Sequence, residues 1–200
     1  MVNKAQLLKR LEKHIEDLGR EYSRMALDFF WMEEDIRGWL FAQLSQDPVF
    51  TYSIGDSSVP IVHAQYRTRS ASPQFYDLAV VESDDAKRIA EWKKGKSQNR
   101  FEEKDAKLLA AVEIEFLYRG GTAWQGKLEG NVNKLIKNKD QFTQGYLLVF
   151  VLTEFRQNKK YDYSQVKAYL KGGMVKWKGK VNLKIYCAAG PGSAAGNIWI

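Results

Sequence analysis

Two short apolar runs carry acids where a core wants hydrocarbon. Residues 75–81 read Phe-Tyr-Asp-Leu-Ala-Val-Val, and residues 108–116 read Leu-Leu-Ala-Ala-Val-Glu-Ile-Glu-Phe. Each has the length and composition of a buried β-strand. A carboxylate inside such a strand is costly unless it is neutralised or meets a cation. Side chains alternate along a strand, so Glu113 and Glu115 share a face. If the two strands are neighbours, Asp77 joins them and three carboxylates converge. Hard oxygen ligands in that number suit a divalent cation, Mg²⁺ or Mn²⁺, which Asp77, Glu113 and Glu115 would bind.

The elements around these acids follow from periodicity and punctuation. Residues 5–18 place Leu7, Leu8, Leu11, Ile15 and Leu18 at helical spacing, and Gly19 is a candidate break. A second, largely buried helix is expected over 21–44, ended by Asp47-Pro48. At about 100° per residue, Glu33 falls within the arc of Phe29, Ile36 and Leu40, which makes it the fourth acid of the site. A strand follows at 59–67, in which Ile61, His63, Gln65 and Arg67 share one face. Then come a Ser/Pro loop at 70–73, the Asp77 strand, a capped surface helix at 82–92 and a basic loop at 93–100. Beyond the Glu113 strand lie a turn at 119–122 and a helix at 130–139, whose apolar residues Val132, Leu135 and Ile136 turn Lys134 away from the core. A strand at 146–152, a helix at 163–171 and strands at 181–188 and 197–200 complete an α/β (α+β) domain on a mixed sheet.

The order of elements and the acids together resemble the PD-(D/E)XK nuclease superfamily over roughly residues 33–154. The resemblance implies a restriction-endonuclease-like mixed sheet flanked by helices, preceded by an N-terminal helical segment. It also implies metal-assisted hydrolysis of phosphodiester bonds in DNA, with Asp77, Glu113, Glu115 and Glu33 as site residues. Tyr76 stands where the family name has proline. Glu115 stands where the family most often has lysine, which makes this a Glu-X-Glu variant. Glu115 cannot supply positive charge; it would bind a metal or take a proton from water. The alternative that this departure keeps open is an inactive nuclease fold serving as a nucleic-acid-binding or assembly module. A third reading makes the acids a structural ion-pair network.

Composition sets the outer limits. The chain has 200 residues, 44% of them hydrophobic and 13% aromatic, enough for one well-packed domain over 1–200 with its N-terminal helices at 1–45. The net charge of +7 favours a polyanionic partner. Lysines mixed with aromatic residues over 156–184, Lys176, Lys178 and Lys180 among them, suit phosphates and bases; a solvated face is the plainer reading. No run reaches the ~18 apolar residues of a membrane span. A lone Cys187 and the lack of a signal-like start point to a cytoplasmic setting. The first helix has two fates, packing on its own domain or pairing with a second copy in a homodimer.

Overall fold

A computed structural model of the chain describes residues 3–30, 32–54, 57–68, 74–93, 105–117, 123–153, 162–191 and 197–200. The expected loops at 70–73 and 94–100, the turn at 119–122 and the basic stretch 156–161 lie outside the described residues. The architecture is mixed α/β. Two short strands, β1 (Thr51–Ile54) and β2 (Ser57–Pro60), pair with each other. Six more, β3 (Val62–Arg67), β4 (Phe75–Val81), β5 (Leu108–Leu117), β6 (Phe142–Val151), β7 (Leu183–Ala189) and β8 (Ile198–Trp199), lie side by side in chain order. The pairs β5–β6 and β6–β7 are parallel and the others antiparallel. Among the described residues five α-helices accompany them: α1 (Lys4–Phe29), α2 (Glu33–Gln46), α3 (Ser83–Lys93), α4 (Trp124–Lys137) and α5 (Tyr163–Trp177). Each parallel pair is joined through a helix, α4 or α5, as a crossover requires. No helix among the described residues is long and apolar enough to cross a membrane.

The central strand β5 is buried along its whole length, as a strand covered on both faces must be. Alternation sends its side chains, and those of its parallel neighbours, two ways. Even-numbered residues meet α1. Tyr146 donates to Glu12 at 2.8 Å, and Tyr22 packs edge-on against Phe116 and Phe150. The odd-numbered Glu113 and Glu115 meet α4.

Several element boundaries differ from the sequence reading, each for a packing reason. The first helix does not stop at Gly19 but continues to Phe29, with a kink at Met25. Its stripe of Leu7, Leu11, Ile15, Leu18 and Tyr22 is buried within the chain's own core. Gly19 serves closeness rather than termination, because a Cβ there would run into the Tyr186 phenol of β7. Helix α4 starts at Trp124, six residues before the expected 130. Gly126 and Gly130 point to open space, and the buried ladder Trp124, Leu128, Val132, Leu135 overrides their poor propensity. The expected strand 59–67 is two strands broken at Ile61, whose N–H turns to the Phe50 carbonyl. The helix expected at 163–171 runs on to Trp177.

The Gly19 contact gives a stability prediction. Gly19→Ala gains helix propensity of up to ~1 kcal/mol but overpacks against Tyr186, and it should cost about 1–3 kcal/mol net. Urea denaturation would measure this. A midpoint at or above the parent's would mean that Tyr186 yields without cost.

Candidate active site

Asp77 sits where the sheet comes apart. The β4–β5 ladder pairs Leu78 with Val112 and ends there. The next pairing would bring Asp77 opposite Glu113. Instead the Asp77 carboxylate takes the place of a strand, and its Oδ2 accepts the Ile114 N–H at 2.8 Å. On the other side, β3 and β4 pair at Ala64↔Leu78 and Tyr66↔Tyr76 but skip Gln65 and Asp77. Gln65 has φ 51, a left-handed backbone that a side-chain-bearing residue adopts at a cost and that clusters at functional sites. Asp77 is thus released from both ladders. Its Oδ1 accepts from Arg37 Nη1 of α2 at 3.3 Å.

Glu113 is 1% exposed. Lys134 Nζ lies 2.5 Å from its Oε2 and donates to the Phe75 carbonyl at 2.8 Å. Its other oxygen, Oε1, is buried with no hydrogen-bond partner among the described residues, an expensive condition for a carboxylate. Burial pushes the Glu113 carboxyl up to about 8; Lys134 opposes the rise, and the charges of Asp77 and Glu33 add to it. Glu115 accepts from Lys127 Nζ at 3.3 Å and Asn131 Nδ2 at 3.4 Å. Burial raises its carboxyl above the usual range, Lys127 works against this, and Asp77 reinforces it. Glu33 is the first residue of α2. Burial first, then the charges of Asp77, Glu115 and Glu34, lift it to about 7 against the pull of Arg37.

Asp77, Glu113, Glu115 and Glu33 therefore act on one another electrostatically, and three elements deliver them. Glu33 comes to this place by a different route from the one periodicity suggested. The helix that seemed to run through Phe29 is broken between α1 and α2, and Phe29 is exposed. Glu33 reaches the acids because it opens α2. Lys134, which the misplaced helix start turned away from the core, is at the site. With α4 starting at Trp124, Lys127, Asn131 and Lys134 form an i, i+4, i+7 row beside the apolar ladder. That row was a usable signal.

Lys176, Lys178 and Lys180 lie at and beyond the end of α5. Lys176 pairs with Glu129 of α4 at 3.2 Å, and Lys178 and Lys180 flank Gly179, whose φ is 79. Lys127, 62% exposed at its side chain, stands nearer the acids than any of these. His63 packs edge-on to Tyr66.

Among the described residues, no group of three or more His, Cys, Asp or Glu side chains is arranged to hold a metal ion; Arg37 pairs with Asp77 Oδ1 and Lys134 with Glu113 Oε2. The donor chemistry nevertheless fits a hard cation. The oxygens are carboxylates, one of them buried and unpartnered, and the burial that raises the Glu113 and Glu33 carboxyls is a cost that a bound cation would offset. Compared with models of protein families, with curated proteins and with solved structures, the chain matches none.

Proposed function

We propose that the protein is a metal-dependent nuclease that hydrolyses phosphodiester bonds in DNA, a Glu-X-Glu member of the PD-(D/E)XK superfamily. The observation that carries this reading is the release of Asp77 from both ladders beside the buried, half-satisfied Glu113, with Lys134 in attendance. Asp77 and Glu113 would hold Mg²⁺ or Mn²⁺, with Glu115 as a further ligand. The ion, when bound, polarises the phosphate and lowers the pKa of a water. Lys134 supplies from α4 the positive charge that Glu115 cannot, orienting the attacking water or meeting charge that develops on phosphate oxygen. Glu33, with its carboxyl near 7, suits a base that accepts the water's proton, since efficient proton transfer wants a pKa close to the working pH. Arg37 and Lys127 would face phosphate oxygens. A cytoplasmic setting belongs to this reading and accords with the buried Cys187, whose thiol burial pushes up to about 12.

Incubating plasmid and single-stranded DNA with the protein and Mg²⁺ or Mn²⁺ tests the proposal, with chelator as control. Cleavage that requires the metal is expected. Its absence over DNA and RNA substrates with both metals would replace this reading by the inactive binding module. The pairing of Arg37 with Asp77 and of Lys134 with Glu113 is the observation that favours that second reading.

Two further outcomes follow. Acids whose folded-state pKa is raised bind more protons folded than unfolded, so metal-free stability should fall as pH rises from about 5 to 8. Mg²⁺ or Mn²⁺ should oppose that fall, with an effect on melting temperature that grows as Glu33 and Glu113 deprotonate through about 7 and about 8. A metal effect independent of pH would count against Glu113 as a ligand. The second concerns phosphate contacts. Replacing Lys176, Lys178 and Lys180 by Ala should flatten the salt dependence of DNA affinity by up to about 2.7 units of slope, each phosphate contact being worth roughly 0.9. Anisotropy titrations at several salt concentrations would read this, and an unchanged slope returns these lysines to the solvated face.

A further inference from the structure

We infer that the site takes DNA whose bases are unpaired, and that Phe75, Met32 and Phe29 are the surfaces on which those bases rest. The inference deepens the nuclease reading of the same site and rests on its nucleic-acid half. Four large apolar side chains are strongly exposed among the described residues: Phe29 at 63%, Met32 at 52%, Phe75 at 49% and Val175 at 80%. A single exposed apolar residue is ordinary, and Val175 stands by itself on α5. Two of the other three, Met32 and Phe75, adjoin the acids along the chain. Met32 directly precedes Glu33, and its backbone is pinned by donation of its N–H to Asp35 Oδ2 at 3.0 Å. Phe29 ends α1 on the other side of the same corner. Phe75 lies two residues before Asp77 on β4, so the two side chains share a face about 7 Å apart along the strand. The Phe75 carbonyl also holds Lys134.

The acids and the cations paired with them, Arg37, Lys127 and Lys134, thus have an exposed phenyl ring two residues from Asp77 on β4 and an exposed methionine next to Glu33 at the start of α2. A duplex presents such a site with phosphates and a closed stack of bases, and an exposed ring finds nothing there to cover it. An unpaired base offers a flat apolar face beside its own phosphate. Stacking on an aromatic ring then adds affinity regardless of sequence. A single strand covers the apolar rim with bases and leaves the phosphates to the cations.

The test is anisotropy binding, in metal-free buffer so that nothing is cleaved, of a labelled single-stranded oligonucleotide and the duplex of the same sequence. The parent should prefer the single strand. Phe75→Ala should lose about tenfold of single-strand affinity and little of duplex affinity, Met32→Ala a smaller share, and Phe75→Trp should retain binding. Circular dichroism of these exposed-site variants reports whether folding is intact, and Phe75→Trp tests the idea even if Phe75→Ala misfolds. A 2-aminopurine probe in the strand should be quenched on binding the parent and not Phe75→Ala. Equal affinity for both forms, equal losses on both, or loss of a concentration-dependent dimer in Phe75→Ala without any change in binding would overturn the inference. Its failure is separable from that of the nuclease reading. A single-strand preference without cleavage keeps the inference and removes the enzyme, whereas duplex cleavage indifferent to Phe75 does the reverse.

Discussion

Glu113→Gln should abolish metal-dependent cleavage, lowering its rate by about 100- to 1000-fold or more, the scale on which one group of a preorganised electrostatic site is felt. The same change should alter how stability responds to pH. In the parent, Glu113 is buried and its carboxyl is pushed up to about 8, chiefly by desolvation. The folded state therefore holds a proton that the unfolded chain has released, and the parent loses stability as pH rises from about 5 to 8. Glutamine has no proton to surrender. The variant should gain on the parent as pH rises, and melting temperatures across that range would show it as a shallower curve. Asp77→Asn should lose cleavage equally but without this gain, because it leaves Arg37 without its carboxylate partner. Parallel pH curves for Glu113→Gln and the parent would mean that Glu113 is charged throughout. Full activity in either variant would end the assignment of the site.

Lys134→Met should cost about 100-fold in kcat with KM little changed, since the amine acts on charge that develops during the reaction rather than on bound substrate. It should also destabilise the fold. Removing one partner of a buried ion pair strands the other, at a cost of up to about 3–5 kcal/mol. Here the loss is limited by protonation of Glu113 and should therefore deepen at alkaline pH. The decisive variant is the double change Lys134→Met with Glu115→Lys. It moves the cation from α4 to the strand, two residues past Glu113. Partial recovery of kcat in the double variant, measured against Lys134→Met alone, would show that the two positions are alternative sources of the same charge. If Lys134→Met cleaves at the parent rate, the lysine is only structural.

The acids were legible because the signal is local and costly. Asp77, Glu113 and Glu115 interrupt runs of hydrocarbon, and nothing about a strand's own physics asks for them. Lys134 was missed because Gly126 and Gly130 concealed the first turns of α4, and with them Trp124, Leu128 and the row that Lys127, Asn131 and Lys134 form beside them. The glycines read as loop when considered singly, while Trp124, Leu128, Val132 and Leu135 carry the helix through them once tertiary burial is counted. The corner between α1 and α2 was hidden for the opposite reason. Phe29, Phe30 and Met32 look like continued core, yet only Phe30 is buried. Apolar character permits burial and does not compel it. The separation of β2 from β3 at Ile61 left no mark in alternation, since both pieces have the same period. Gln65 gave no warning either, as its left-handed backbone is imposed by the sheet around it.

The acids and the cation that serves them are mounted on different elements, with Glu113 on β5 and Lys134 on α4. In the proposed mechanism the strand then needs no cation at position 115, two residues past Glu113. Each half of the charge balance can drift by single substitutions without the other being rebuilt. A lineage with this layout can pass through intermediates with a lysine at both places, or lend the strand position to a third acid, without ever facing a site stripped of positive charge. Divergence in such a lineage would be read more easily from the spacing of residues on the helix than from the motif on the strand.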